Sequence, residues 1–433
     1  MIPLVKIKLI FLLSIFLSSC FGPVKELKYQ IEDSMEDRSI YVSNPNPLNE
    51  LDNKLFINVE ETSSFDDDTL RNFKIFSKGD LVYYISQSGL INSFNLKTNE
   101  LKNIYKNSIN ISSGINGDDE FLYYVDVRGY LTCYSISNGL NWKSFVGEVY
   151  SPPEVSDGKI FVKDTNNKFH ALNAKDGSLI WAYQLPSPSL SIRSWAPMTI
   201  SEGILYSGGP SGKIIAINSN NGTLLWETTF SQPKGSSEIQ RSNDVTSSLI
   251  MDDFQLFVVS SQGNVASIAK EDGSILWSRL LSSFEGMSQS EDKIFITHSS
   301  GSIYSLSKDT NKVIWRNANY LGRDVSKPIR YNNYIIFSDY EGWMHVISLE
   351  SGDDLARVKI SSATLLTPLI IDDKIFIVST DGTFSLLTIS LNDEKDIDHN
   401  TNKTKVSNEN LDIEINENSE GDKTLIDTLF FWD

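Results

Sequence analysis

The chain has 433 residues, enough for two or three ordinary domains or for one large closed β architecture. Its 38 Lys and Arg stand against 56 Asp and Glu, a formal net charge of -18, which excludes nucleic acid as a natural partner. Two cysteines in so long a chain exclude a disulfide-built scaffold, and a chain of this size buries enough core without one.

Residues 1–20 carry Lys6 and Lys8, then an apolar run, then small residues ahead of Cys20, the three-part layout of a secretory signal. The run is too short to span a bilayer comfortably. Leu17-Ser18-Ser19-Cys20 resembles the bacterial lipobox. That resemblance implies cleavage before Cys20 and lipidation of its thiol; the alternative is a plain signal with an incidental cysteine. In such lipoproteins an aspartate after the cysteine goes with the inner membrane, so Phe21 and Gly22 point to the periplasmic face of the outer membrane. Residues 21–53 are polar, include Asn44-Pro45-Asn46-Pro47, and read as a tether.

From Ser88 onward one unit recurs eight times. Its turn residue is Gly89, Gly129, Asn167, Gly212, Gly263, Gly301, Gly342 and Gly382, a period near forty lengthened to 45 before Gly212 and 51 before Gly263. Forty residues fit one four-stranded blade, so the fold expected is all-β, an eight-bladed β-propeller of antiparallel blades. Each copy has a tight turn needing positive φ and an alternating strand such as Ile214–Ile217; copies 2 to 5 follow it with an Asn-Gly or Asp-Gly turn, and copies 2 to 6 with a strand that opens on an aliphatic residue and a tryptophan. Trp142, Trp181, Trp226, Trp277 and Trp315 share one position, where a wide ring fills the wedge between blades. Apolar segments beginning at Pro152, Pro197, Pro328 and Pro368 supply the inner strands.

The eighth copy stops at Ser390 without a fourth strand, while Lys54–Glu60 (KLFINVE) stands alone ahead of the first copy. The N-terminal strand is therefore expected to complete blade 8 and close the ring, giving a propeller over 54–390. Residues 391–433 hold 12 acidic against 4 basic residues and read as a disordered tail. Its apolar end, Thr424–Asp433, is either a docking motif or an incidental terminus.

No G-x-S-x-G, phosphate loop, C-x-x-C or H-E-x-x-H occurs. His170, His298, His345 and His399 are scattered without metal-ligand spacing, so no metal or catalytic residue is assigned. Pairs such as Asp118-Asp119, Asp252-Asp253 and Asp372-Asp373 read as turn chemistry. Cys133, in an alternating strand, reads as a buried thiol.

The blade signature resembles the PQQ-like repeat of pyrroloquinoline-quinone dehydrogenases, and a PQQ-dependent periplasmic dehydrogenase is the enzymatic alternative. Those enzymes often carry a disulfide between adjacent cysteines, which this chain cannot form, and no cofactor is assigned.

From the lipobox through blade 8 the chain more specifically resembles the BamB family, propeller lipoproteins of the outer-membrane β-barrel assembly (BAM) machinery. The match rests on the two segments that lengthen the period. Ser189-Leu190-Ser191-Ile192-Arg193 resembles a family loop presenting two aliphatic residues and an arginine to BamA, which implies Leu190, Ile192 and Arg193 as contacts. The stretch Gly235–Val245 resembles another family segment with Glu-Ile, an arginine and Asp-Val, which implies Glu238, Arg241 and Asp244; Thr246 stands where the family has a second acid. Aliphatic anchors beside an arginine on a rigid scaffold have hot-spot composition, although by residue type alone they equally suit a propeller cap with an internal ion pair.

The resemblance implies a non-catalytic scaffold that binds the periplasmic POTRA repeats of BamA and offers strand edges to unfolded barrel precursors. A propeller lipoprotein with some other partner is the third reading.

Overall fold

The computed structural model describes residues 44–65, 75–186, 196–232 and 243–391. Among them, thirty-two strands form eight four-stranded antiparallel sheets. Blades 1 to 7 are meanders over 76–106, 116–145, 154–184, 199–229, 250–280, 286–317 and 329–359. Blade 8 combines Leu369–Ile371, Lys374–Val378 and Thr383–Leu391 with Leu55–Ser64 as its outermost strand. The ring is thus closed by the N-terminal strand, in register from Leu55 opposite Leu391 to Ser64 opposite Thr383.

The turn positions behave as the repeat requires. All eight have positive φ, from 59° at Asn167 to 157° at Gly263. The second and third strands of a blade are buried on both faces because each blade is flanked by two others, whereas outer strands such as Leu179–Gln184 alternate. Eight apolar clusters result among the described residues, one per seam; the closing seam joins Tyr84 and Phe94 of blade 1 to Phe376 and Phe384 of blade 8.

The five recurrent tryptophans do more than fill wedges. Each indole N–H donates to a turn carbonyl of the next blade: Trp142 to Ala174, Trp181 to Ser219, Trp226 to Lys270, Trp277 to Lys308 and Trp315 to Leu349, at 2.6–3.0 Å. Three residues beyond the acceptor the chain turns with positive φ at Gly177, Gly222, Gly273, Asn311 and Gly352. A Cβ on Gly177 would come within 2.5 Å of the Trp142 ring, so the ring occupies the space a side chain would need.

The segment read as a tether departs from that reading at its C-terminal end. The Arg323 guanidinium donates to the Asn46 carbonyl at 3.0 Å, and the Asn46 amide donates to Leu321 at 2.9 Å. Leu48 packs on the apolar cluster between blades 6 and 7, and Lys54 N–H donates to the Leu355 carbonyl at 2.8 Å. These residues strap the outer edge of blade 7. The signal with Cys20, most of the tether and the acidic tail lie outside the described residues.

Candidate functional site

The two lengthened periods correspond to the connections between blades 3 and 4, residues 185–198, and between blades 4 and 5, residues 230–249. Leu190, Ile192, Arg193, Glu238 and Arg241 lie outside the described residues. Asp244 and the roots of both connections are described, and the roots are buried: Leu185, Ala196, Phe230, Ser231, Asn243 and Val245 are each at most 4% exposed.

Both connections root on one turn, Gly208–Lys213, between the second and third strands of blade 4. Val245 N–H donates to Gly209 O at 3.1 Å. Ser211 is left-handed, with φ 59°, and its N–H donates to Asp244 Oδ1 at 2.8 Å. Asn243 Nδ2 donates to Ser231 O at 2.6 Å, drawing together the two ends of the second connection. Asp244, expected as a surface contact, is therefore inward: 2% exposed and fastening a backbone turn. Thr246 donates to the Phe284 carbonyl at 3.1 Å, toward the root of blade 6.

Beneath this turn lies a residue that the sequence reading missed. Lys163 ends the second strand of blade 3 at 2% exposure, and its Nζ donates to Gly208 O at 2.9 Å and lies 3.3 Å from Ser207 Oγ. Burial pushes its pKa down to about 8, with the Asp244 carboxylate opposing that shift. The available signal was positional: the corresponding residues in blades 1, 2, 5 and 8 are Ile85, Val125, Val259 and Val378.

Elsewhere, ionisable groups are absorbed by the fold. His345 Nε2 lies 3.0 Å from Asp339 Oδ2, which also accepts from Arg323 at 2.8 Å, and Arg323 further pairs with Glu341. Asp118 and Asp252 accept backbone amides within their own turns. Cys133 is fully buried, and desolvation pushes its thiol up to about 11. Among the described residues no three His, Cys, Asp or Glu side chains converge as metal ligands.

A family model described as outer membrane protein assembly factor BamB matches residues 140–317, a span that includes both connections. The outer membrane protein assembly factor BamB of Yersinia pestis is 28% identical over 67% of this chain and 75% of its own length. That of Burkholderia pseudomallei is 28% identical over 78% of this chain and 90% of its own length. The crystal structure of BamB from Moraxella catarrhalis superposes with a TM-score of 0.71 at 20% identity, covering 77% of this chain and all of that one, and so shares the fold. The chain is thus similar to BamB assembly factors across both long connections and shares its propeller fold with one of them.

Proposed function

We propose that this chain is a scaffold lipoprotein of the BAM complex that catalyses no reaction. Anchored through Cys20 to the periplasmic face of the outer membrane, it binds the POTRA repeats of BamA and assists the insertion of β-barrel proteins. The observation that carries this reading is the common root, on one turn of blade 4, of the two long connections to which the family-like segments belong. The names of its relatives, assembly factors of the outer membrane, support it.

On this reading Leu190, Ile192 and Arg193 supply apolar anchors and a cation, and Glu238 and Arg241 supply charge complementarity. Asp244 acts from below by fixing the second segment. The first test is recovery of BamA with the native protein from mild detergent, set against a Leu190→Ala/Arg193→Ala variant. Loss of BamA with an intact fold supports function and site together. Equal recovery removes these residues from the interface, and no BamA with either protein removes the proposed function.

A further inference from the structure

The two long connections meet on adjacent glycines. A Cβ on Gly208 would lie 2.2 Å from Val245 Cγ1, and one on Gly209 would lie 2.9 Å from Leu185 Cδ2. Val245 belongs to the root of the second connection and Leu185 to that of the first. The absence of side chains on this dipeptide is what lets both roots press on the same backbone. Neither glycine has positive φ, so their role here is close approach rather than turn geometry.

Lys163 reaches the same dipeptide from blade 3 through its bond to Gly208 O. A lysine here is costly to bury, because its ammonium loses its hydration, a loss that the bonds to Gly208 O and Ser207 Oγ and the field of Asp244 offset. An apolar side chain of similar length is expected to serve the seam equally well or better, as Ile85, Val125, Val259 and Val378 do at the corresponding positions. At 2% exposure Lys163 cannot itself meet a macromolecule or a modifying reagent. What the ammonium supplies is direction, since it fixes the carbonyl of Gly208 and lies in the field of Asp244, which in turn holds Ser211 N–H.

We propose that Lys163 and the Gly208–Gly209 crossing are positioning elements that hold the roots of the two connections in one mutual register, on which docking of the partner depends. This rests on the docking role proposed above. The crossing couples blades 3 and 4 to the entry of blade 5, and a shift at Gly208 is transmitted to both roots because each is in direct contact with it or its neighbour.

The test uses the full-length protein and the soluble periplasmic portion of BamA. Lys163→Met removes the charge while keeping the side-chain length. It is expected to weaken binding by roughly tenfold, leave the thermal midpoint equal or higher, and speed hydrogen exchange at the amides of Val245 and Ser211 but not in blade 7. Gly208→Ala, which displaces Val245 while keeping the lysine, is expected to weaken binding to a similar extent. Native affinity and native exchange in Lys163→Met would overturn the proposal, as would a loss of protection spread evenly over all blades. If the native protein fails to bind the BamA portion, the docking role falls, and exchange at Val245 and Ser211 still decides whether Lys163 sets the crossing.

Discussion

Glu61 holds in blade 8 the place that Trp181 holds in blade 3. Each faces its own third strand beside a one-residue bulge, Glu61 opposite Leu386 and Trp181 opposite Ala171. Trp181 crosses to blade 4 with a 2.9 Å bond to Ser219 O, whereas Glu61 crosses to blade 1 by accepting from Asn99 Nδ2 at 3.4 Å. Beside it, Lys374 pairs with Glu60 within blade 8 at 2.8 Å and donates across the seam to Leu96 O at 3.5 Å. At this outer-strand position, the seam that closes the ring is spanned by polar contacts where five other seams are spanned by an indole.

The two devices should differ in strength. Trp181→Phe leaves the buried Ser219 carbonyl without its donor and is expected to cost about 1–3 kcal/mol in urea unfolding. Glu61→Gln alters only a half-buried, solvent-screened contact and is expected to cost less than about 1 kcal/mol. Gly222→Ala, at φ 74° and with a Cβ 2.7 Å from Trp181 Cδ2, is expected to cost about 2–4 kcal/mol. Equal losses in the first two variants would show that the tryptophan bond is not what holds the seam.

Closure by the N-terminal strand makes a sharper prediction. Deleting residues 55–64 exposes the whole edge of Thr383–Leu391 and the Phe65 end of the closing core. The thermal midpoint is expected to fall steeply and soluble yield with it. An unchanged midpoint would mean that the ring does not depend on the strand that closes it.

The propeller was legible because its signals are local and repeated. Period-two alternation, a turn residue every forty positions and asparagine at the one non-glycine turn all report geometry within a single hairpin, and Asn167 indeed sits at φ 59°. The strap was not legible, because residues 46–54 are held by backbone groups and the Arg323 guanidinium about 270 to 310 positions away and leave no periodicity. Lys163 and Asp244 escaped for a related reason. Their partners come from neighbouring blades, and an acid beside a long connection looks like surface until the connection is seen to root inward.

Acid should weaken the fold in two stages at blade 7. Burial pushes the pKa of His345 below its ordinary value, outweighing the hydrogen bond to Asp339. The unfolded chain takes up that proton near pH 6.5 and the folded chain resists it, so stability falls as pH drops below about 6.5. Burial pushes Asp339 up, but hydrogen bonds from His345, the Trp343 amide and Arg323 outweigh it and leave its pKa below the ordinary carboxylate value. Its contribution is complete above about pH 4 and is lost as pH falls through the lower folded value. Each group contributes at most about 1.4 kcal/mol per pH unit. His345→Gln is expected to abolish the upper stage in urea titrations between pH 7 and 5 while keeping the lower; an unaltered upper stage would place its origin elsewhere.

The strap sets where the chain leaves the ring. Asn46 is held by Arg323, Leu321 and Ala318, and Asn53 exchanges bonds with the Arg357 backbone, donating through Nδ2 and accepting through Oδ1 at 3.1 Å. With Lys54 bonded to Leu355, the edge of blade 7 that a foreign strand would need is covered by the chain itself. Leu48→Ala with Asn53→Ala removes one apolar contact and two hydrogen bonds at partly exposed sites, which should cost about 1–2 kcal/mol locally and little in the global midpoint. The expected readout is faster hydrogen exchange at the Lys54 and Arg357 amides with blades 2 to 5 unchanged. Native protection at both amides in the double variant would show that the strap is held by its Asn46 end alone.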